Sequence, residues 1–368
     1  MNGIDLRSDT VTKPTPEMRR AMYDAEVADD GLEGDPTTQR LEEMAAERLG
    51  TEAALLVASG SMGNLVAALA HCAPGDAMIV GERSHMAWSD DQGAGHNTYG
   101  QIGVRRLPED DDGKLGIEDI GLTIAAESEG GSRVALVNME NTHNASYGTP
   151  LDQAWTASFA SEVHGRGAAL HIDGARLFNA AVALDVPASD LVADADSATF
   201  CLSKGLACPI GSIVAGTSDY IAEAHNRRKI VGGEMRQTGV VSAAGIVALE
   251  SMVDRMADDH ANARRLAEGL AQIEGIGIDP ERVTTNILYF TTPDRTPEEV
   301  EQSLAEEGVH CFALDGRIRM VTHHHITPED IETALGAVQR VMQSGAAHAK
   351  GAGSALPQAI SGGSTGSP

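Results

Sequence analysis

The chain has 368 residues, of which 54 are acidic and 27 are lysine or arginine, so its formal net charge is −27. Phosphodiester backbones repel a protein this acidic, which excludes nucleic acid as a partner. Hydrophobic residues make up 42% of the chain and supply a core, whereas aromatic residues make up only 3%, a bias that fits a GC-rich genome or adaptation to high salt.

The first predicted element is an extended arm over residues 1–16, because two prolines interrupt any helical period there. Pro16 then introduces a helix over residues 17–27, since proline is favoured in the first helical turn. A segment rich in turn-forming residues follows, and the pattern predicts a second helix over residues 38–49.

From about residue 51 to residue 217, short apolar runs alternate with helical segments. Most of the apolar runs are continuous, which is typical of a mainly parallel sheet covered by helices on both faces. The helical segments, such as 61–72 and 151–165, fit right-handed crossovers between parallel strands. The predicted strands are 54–59, 77–82, 133–140, 168–173, 198–203 and 212–217.

The C-terminal part predicts a smaller α+β domain. Its elements are a long helix over 239–270, a strand over 286–292, a helix over 297–307, a strand over 318–323 and a last helix over 328–343. Glycine, alanine and serine dominate residues 344–368, which predicts a disordered tail. The predicted division is therefore the arm, a large domain over 17–240, a small domain over 241–343 and the tail.

The sequence carries no sign of export or of membrane insertion. Its first residues lack a secretory pattern, and no apolar run reaches the roughly 18 residues that a transmembrane helix needs. We therefore expect a cytoplasmic protein without a membrane partner.

Two groups of potential metal ligands do not predict a metal site. The spacing of Cys72, Cys201, Cys208 and Cys311 matches no metal-ligand pattern, and disulfides are rare inside cells, so free thiols are expected. The consecutive His323–His325 cannot converge on one ion, because neighbours on a strand point to opposite faces. No metal is expected.

Lysine and aspartate end two of the predicted strands. Lys204 follows the apolar run ATFCLS, and burial disfavours the ammonium form, so an amine at such a position can attack a carbonyl. Asp173 ends the run AALHI, where a carboxylate can pair with a protonated pyridine nitrogen, and Arg176 can face an anionic oxygen. A solvated strand-end lysine and a structural Asp–Arg pair are the alternatives.

The turn ASGSMGNL, residues 58–65, joins a predicted strand to a helix. Backbone N–H groups at a helix N-terminus bind phosphate, Gly60 and Gly63 permit close approach, and the Ser61 hydroxyl can donate. The turn lacks the GxxxxGK[ST] and GxGxxG patterns, which disfavours nucleotide binding, and a plain strand–helix turn is the alternative. Together, however, a phosphate cradle, a carboxylate and a lysine at successive strand ends are what pyridoxal phosphate requires.

The sequence resembles threonine aldolases over about residues 4–343. The segments that carry the resemblance are LRSDTVTKPT (6–15), ASGSMGNLVA (58–67), ENTHN (140–144), HIDGARLFNA (171–180), CLSKGLACPIGS (201–212), GGEMRQTG (232–239) and RMVTH (319–323). The resemblance implies the pyridoxal phosphate fold type I, with a mainly parallel seven-stranded α/β sheet. It also implies cleavage of threonine or allo-threonine to glycine and an aldehyde by a homotetramer, a dimer of dimers.

The resemblance implies how the cofactor is held. Lys204 would bind pyridoxal phosphate covalently, Asp173 would pair with its pyridine nitrogen, and Arg176 with its ring oxygen or with the substrate carboxylate. His85 would stack on the ring. The phosphate would be held by the backbones of Gly60, Ser61 and Met62 together with Ser203.

For the small-molecule substrate, the resemblance implies that Ser8 and Arg319 bind the carboxylate and that His143 lies near the β-hydroxyl. The base that takes the hydroxyl proton is left open among His85, His143 and an ordered water, since an imidazole titrates near neutral pH. Asn286 matches a position of the family without a clear role.

Three positions depart from the family's pattern. Leu32 stands where a tyrosine is common, and after His85 the residues Asp90 and Gln92 replace the family's glutamate and paired glycines. They leave the preferred substrate side chain open. A bulkier substrate such as phenylserine, β-elimination and racemisation are the alternatives on the same fold. A cofactor-binding scaffold without catalysis is the alternative from another class.

Overall fold

A computed structural model describes residues 3–91 and 95–352. Gln92 and residues 353–368 of the predicted tail lie outside this part. In the described residues, no helix is both long and apolar enough to cross a membrane. The chain begins with β1 (Ile4–Asp5), a 3-10 turn (Asp9–Val11), α1 (Pro16–Asp24) and α2 (Pro36–Leu49).

The middle of the chain alternates strands and helices. Its elements are β2 (Ala53–Val57), α3 (Gly60–His71), β3 (Ala77–Gly81), α4 (His85–Asp91), β4 (Gly103–Leu107), α5 (Ile117–Glu129), β5 (Val134–Glu140), α6 (Gln153–Gly165), β6 (Ala169–Asp173), α7 (Leu177–Leu184), α8 (Ala188–Val192), β7 (Ser197–Cys201), β8 (Ser212–Gly216) and α9 (Ser218–Ile230). The C-terminal part consists of α10 (Gly239–Ser251), α11 (Met256–Leu270), β9 (Ile287–Phe290), α12 (Pro297–Glu306), β10 (Val309–His310), β11 (Phe312–Leu314), β12 (Arg317–Val321) and α13 (Pro328–Ala352).

The central sheet has seven strands in the order β2-β8-β7-β6-β5-β3-β4. Neighbouring strands are parallel except at β8, which is antiparallel to β2 and β7. Successive side chains point to opposite faces: Leu56 packs in the core that includes α2 and α10, and Leu55 in the core that includes α3 and α9. The predicted α/β fold, with helices on both faces of a mainly parallel sheet, is confirmed.

The strand β4 is the one strand of this sheet that the apolar pattern did not predict. Its sequence, GVRRL, carries two arginines and lies at the sheet edge, where one side of the strand has no neighbouring strand. Arg105 forms an ion pair with Glu127 of α5, with 2.6 Å between Nε and Oε1. An edge strand that is charged in this way gives no continuous apolar run.

Two helices differ from the sequence prediction. The single helix predicted over 239–270 is two helices, and α10 packs with α1 and α2 on the large core because Ala244 and Leu249 face it. The last helix runs to Ala352 and does not end near residue 343, since alanine, which recurs in this segment, is the strongest helix former. The division into domains stays a prediction.

The N-terminal arm is tied to the C-terminal part. Strand β1 pairs in parallel with β10, and the Leu6 carbonyl accepts the Val321 N–H at 2.8 Å, next to the small antiparallel sheet β11-β12-β9. His323 Nε2 donates to the Asp5 carbonyl at 2.8 Å, and the Lys13 N–H donates to His325 Nε2 at 3.0 Å. A second core gathers here; its largest side chains include Leu6, Leu266, Phe290, Ile318 and Met320.

The outer edge of β2 is covered by two side chains. The Leu56 N–H donates to Glu42 Oε1 at 2.7 Å, and the Leu56 carbonyl accepts from Arg228 Nη1 at 2.8 Å. Arg228 is only 1% exposed and also donates to Asp30 Oδ2 at 2.9 Å. Burial raises the pKa of Glu42 to about 7, although the Leu56 N–H and the Arg228 charge oppose the rise.

Replacing Glu42 by glutamine should remove a pH dependence of stability. The folded-state pKa lies above the ordinary value of 4.5, so the folded protein binds more protons between about pH 4.5 and pH 7, and its stability falls as the pH rises through this window. Melting curves at pH 5 and pH 8 should differ less in Glu42→Gln than in the wild type, with a Tm higher by roughly 2–4 °C at pH 8. The exposed neighbour provides the control, Glu43→Gln; equal effects of both substitutions would contradict this assignment.

Candidate active site

The carboxyl ends of five strands that run in one direction meet at one edge of the central sheet, where ligands bind in open α/β sheets. Each of these strands is followed by a predicted site residue or by a polar segment. In the order of the chain these are Ser59–Met62 after β2, His85 after β3, Asn141–Asn144 after β5, Arg176 after β6, whose last residue is Asp173, and Ser203 with Lys204 after β7.

The turn after β2 leads directly into α3. Ser59 caps this helix by accepting the Met62 N–H at 3.1 Å. A Cβ on Gly60 would lie 2.8 Å from Cys201 Sγ, so only glycine fits where the turn passes β7. The positive helix end and the first amides of α3 suit a phosphate, and because Ser59 engages the Met62 amide, Gly60 and Ser61 are better placed than Met62. Ser59 was missed, although serine before a helix start is a capping signal.

Asp173 lies at the end of β6 and is 2% exposed. Its Oδ2 accepts from Asn64 Nδ2 at 2.6 Å, and its Oδ1 accepts from the Ala175 N–H at 3.2 Å. His85 Nδ1 lies 3.9 Å from Asp173 Oδ2, and the Ser89 hydroxyl lies 3.3 Å from the same nitrogen. The structure thus brings together the predicted ring partner and the predicted stacking histidine.

Arg176 forms a buried ion pair with Asp9. Its Nε and Nη2 donate to the two carboxylate oxygens of Asp9, each at 2.7 Å. Burial alone would raise the pKa of Asp9, but the Arg176 charge and hydrogen bonds outweigh it and hold that pKa well below its usual range. Arg176 was predicted to face the cofactor or the substrate. The structure instead commits two of its three nitrogens to Asp9 and leaves Nη1 at 3.3 Å from Asn144 Oδ1.

Arg319 of β12 converges on the same amide oxygen. Its Nη2 donates to Asn144 Oδ1 at 2.8 Å, and its Nη1 donates to the Arg7 carbonyl at 3.1 Å. Burial and the neighbouring charge of Arg176 lower the pKa of Arg319. Two guanidinium groups that share one neutral acceptor form a site suited to an anion.

Ser8 and Lys204 complete this cluster. Ser8 Oγ accepts the Thr10 N–H at 3.2 Å and lies 3.4 Å from Asp9 Oδ1. Lys204 lies in the turn after β7, where its carbonyl accepts from Thr12 Oγ1 at 2.9 Å, and its charge helps to lower the pKa of Asp9. The arm therefore contributes to the site through a serine, an aspartate and a threonine.

His143 does not face the open part of the site. Its side chain is 0% exposed, and Nε2 donates to Glu109 Oε1 at 2.9 Å. Burial lowers the pKa of His143, but the hydrogen bond to Glu109 and the charges of Glu140 and Glu109 raise it further, above its ordinary value. Glu109 Oε2 accepts the Arg83 N–H at 2.9 Å. His143 thus makes a buried contact with Glu109, which also holds the loop before His85, and its position near the substrate hydroxyl stays a prediction.

Four polar residues of the site were missed by the sequence analysis as individual positions: Asp9, Asn64, Glu140 and Asn144. Each lies within or next to a segment of the family resemblance, directly after a strand or beside a predicted residue. Their partners come from other segments, so no local pattern reports their role. A carboxylate, a lysine, a helix N-terminus and an arginine pair together fit pyridoxal phosphate with an amino-acid substrate.

Comparison with known proteins shows the family to which the chain belongs. The family described as Beta-eliminating lyase matches residues 5–293. Low-specificity L-threonine aldolase 1 of Arabidopsis thaliana is 41% identical over 350 residues, which cover 93% of this chain and 97% of the relative. The low specificity L-threonine aldolase of Escherichia coli (strain K12) is 39% identical over 331 residues, covering 89% and 96%.

A threonine aldolase structure from Leishmania major has a similar fold. Its TM-score is 0.78 at 19% sequence identity, covering 92% of this chain and 99% of that one. At this identity the likeness concerns the fold alone, and it agrees with the arrangement of the sheet and helices described above.

Proposed function

The chain belongs to the threonine aldolase family, and on this premise we propose that it cleaves a 3-hydroxy-L-amino acid such as threonine or allo-threonine to glycine and an aldehyde, with pyridoxal phosphate as cofactor. The observation that carries the proposal is that Asp173 ends β6 and Lys204 follows the neighbouring strand β7, while Arg176 and Arg319 converge on Asn144. The carboxylate and the amine suit a pyridine cofactor with a carbonyl group, and the two guanidinium groups suit a carboxylate.

Three features of the chain would hold the cofactor. The Lys204 amine would bind it covalently, the Asp173 carboxylate would pair with the ring nitrogen, and the first amides of α3 at Gly60 and Ser61, helped by Ser203, would bind its phosphate. When bound, pyridoxal phosphate supplies the electron sink for the carbanion that remains when the Cα–Cβ bond breaks.

The substrate carboxylate would bind to Arg319 and to Nη1 of Arg176, the nitrogen that is not bonded to Asp9 and that donates to Asn144 Oδ1 at 3.3 Å, with Ser8 nearby. The buried ion pair with Asp9 fixes the plane of the Arg176 guanidinium, so this nitrogen points in one direction. Two fixed cations orient the amino acid and thereby determine which of its bonds is aligned for cleavage.

We propose His85 as the base that takes the proton of the β-hydroxyl, with an ordered water as the alternative. The side chain of His85 is 32% exposed beside Asp173, whereas that of His143 is 0% exposed and bonded to Glu109. A general base must come within hydrogen-bond reach of its proton, which favours His85. His143 is then a positioning residue that acts through Glu109.

Replacing His85 by asparagine should retain the absorbance of the bound cofactor and lower kcat for threonine by about 10²–10⁴-fold, the usual contribution of a general base. The absorbance spectrum of the purified protein and steady-state rates with threonine test this. An unchanged kcat in His85→Asn would assign the proton transfer to water, and the matched variant His143→Asn should lose less activity.

The substrate and the reaction type are tested together. Threonine, allo-threonine, phenylserine and serine are incubated with the holoenzyme, and glycine, ammonia and the enantiomers of the substrate are measured. Glycine from threonine or allo-threonine supports the proposal. Release of ammonia would indicate β-elimination, enantiomer exchange would indicate racemisation, and no product with intact cofactor binding would indicate a scaffold.

We propose a homotetramer in the cytoplasm. The monomer exposes several large apolar side chains, including Leu32 at 80% and Ile230 at 59%, which fits faces covered by other subunits. All four cysteines are free and buried, which fits a reducing compartment. Light scattering after size exclusion tests the assembly; a monomer at micromolar concentration would exclude it.

A further inference from the structure

Glu140, the last residue of β5, is a buried carboxylate to which the proposed reaction assigns no role. It is 4% exposed. Its Oε2 accepts the backbone N–H of His85 at 2.6 Å, and its Oε1 accepts the backbone N–H of Asn144 at 2.7 Å. Each oxygen is therefore engaged by a main-chain donor, which makes this carboxylate a link between two segments.

One end of this link fixes the segment that carries the proposed base. His85 is the first residue of α4, and its backbone N–H has no intrahelical acceptor at that position. A negative charge at a helix N-terminus is favourable, and bonds to an ionised acceptor are short and strong. The bond therefore fixes where the His85 ring stands relative to Asp173 and Asn64, whose Nδ2 lies 3.4 Å from His85 Nδ1.

The other end fixes the segment that carries Asn144. The Asn144 side chain accepts from Arg319 and Arg176, and its carbonyl accepts from the Tyr289 hydroxyl at 3.1 Å. Its backbone N–H is held by Glu140. The bond thus sets the position of the amide oxygen on which the two guanidinium groups converge.

We propose that Glu140 is a positioning residue that sets the spacing between the His85 side and the arginine side of the site. This rests on the proposed function, because the substrate spans that spacing with its hydroxyl at one side and its carboxylate at the other. A carboxylate is required for this role. Glutamine has a single acceptor oxygen, and its NH₂ group would oppose one of the two backbone N–H donors.

The test compares Glu140→Gln and Glu140→Asp holoenzymes with the wild type, with the exposed Glu129→Gln of α5 as control. Glu140→Gln should bind pyridoxal phosphate within about 3-fold of the wild type, because Lys204 and α3 are unchanged. Its kcat for threonine should fall by about 10²-fold, the usual effect of a misplacement near 1 Å, and its KM should rise. Glu140→Asp keeps both oxygens and should recover part of kcat.

Glycine binding gives a readout that does not need turnover. The dissociation constant of glycine, from the change in visible circular dichroism of the bound cofactor, should rise about 10-fold in Glu140→Gln. Values of kcat and glycine affinity within 2-fold of the Glu129→Gln control would overturn the proposal. If Glu140→Gln fails to fold, Glu140→Asp decides, and wild-type behaviour in that variant overturns it. If the wild type binds glycine but does not cleave threonine, the proposed function is refuted and the positioning role of Glu140 is not.

Discussion

The Lys204→Ala protein should lack the visible absorbance of the covalently bound cofactor and should lose about 10³–10⁶-fold in kcat/KM for threonine. The reason is that, in the proposed site, the amine would both anchor the cofactor and activate it toward the amino group of the substrate. The measurement combines an absorbance spectrum of the purified protein with the rate of glycine formation. This is the largest change in activity that we expect from a single substitution.

Two further variants separate the amine from the charge. Lys204→Arg keeps a cation beside Asp9 but cannot form the covalent bond, so it should be as inactive as Lys204→Ala. Lys114→Ala, in which the lysine pairs loosely with Asp112 at 4.0 Å, should behave like the wild type. A Lys204→Ala protein with an unchanged spectrum would refute the assigned anchor.

Asp9→Asn should cause the largest loss of stability. It leaves the Arg176 guanidinium unpaired in a site where Asp9 is 0% and Arg176 6% exposed, and breaking a buried pair costs about 3–5 kcal/mol. Denaturant unfolding of the holoenzyme measures this. Asp5→Asn is the matched control in the same arm, because its ion pair with Arg7 is partly exposed and contributes about 0–1 kcal/mol.

The double variant Asp9→Asn/Arg176→Gln should be more stable than Asp9→Asn, because no charge is left unpaired, yet it should not recover activity. Equal stability of the single and double variants would show that the pair is not coupled.

The pH dependence of stability follows from the lowered pKa of Asp9. The stabilisation by this carboxylate is complete above the unfolded-state pKa near 3.9 and is lost only as the pH falls through the folded-state pKa. A loss of activity between pH 5 and pH 7 would therefore be caused by the titration of a group other than Asp9.

The sequence predicts the strands of the central sheet best where burial on both faces produces continuous apolar runs. The prediction fails at β4, whose arginines are paired with residues of other segments, such as Arg105 with Glu127. It also fails at residues 252–255, where the helical period of the sequence continues although the structure has a break between α10 and α11. In both places tertiary contacts decide the structure, and local propensity does not report them.

The residues of the site also divide into those whose positions the sequence predicts and those whose roles depend on distant partners. The positions of Lys204 and Asp173 at the ends of strands follow from the apolar runs that precede them, and their chemical tasks remain predictions. Asp9 and Glu140 are not predictable in this way, since their roles depend on Arg176 and on two backbone N–H groups that lie far away in the sequence. His143 lies in a motif whose resemblance implies contact with the substrate, whereas its partner Glu109 belongs to a loop that no motif singles out.

The pairing of β1 with β10 bears on how the protein is made. Ile4 and Asp5 meet Val309 and His310, and Leu6 meets Val321, so segments near opposite ends of the described chain pair with each other. During translation the arm is synthesised before its partners, and every residue between them must follow first. Asp9 and Thr12 reach Arg176 and Lys204 from this same arm. The proposed site therefore becomes complete only after Val321 has been added, and until then the nascent arm lacks its strand partner.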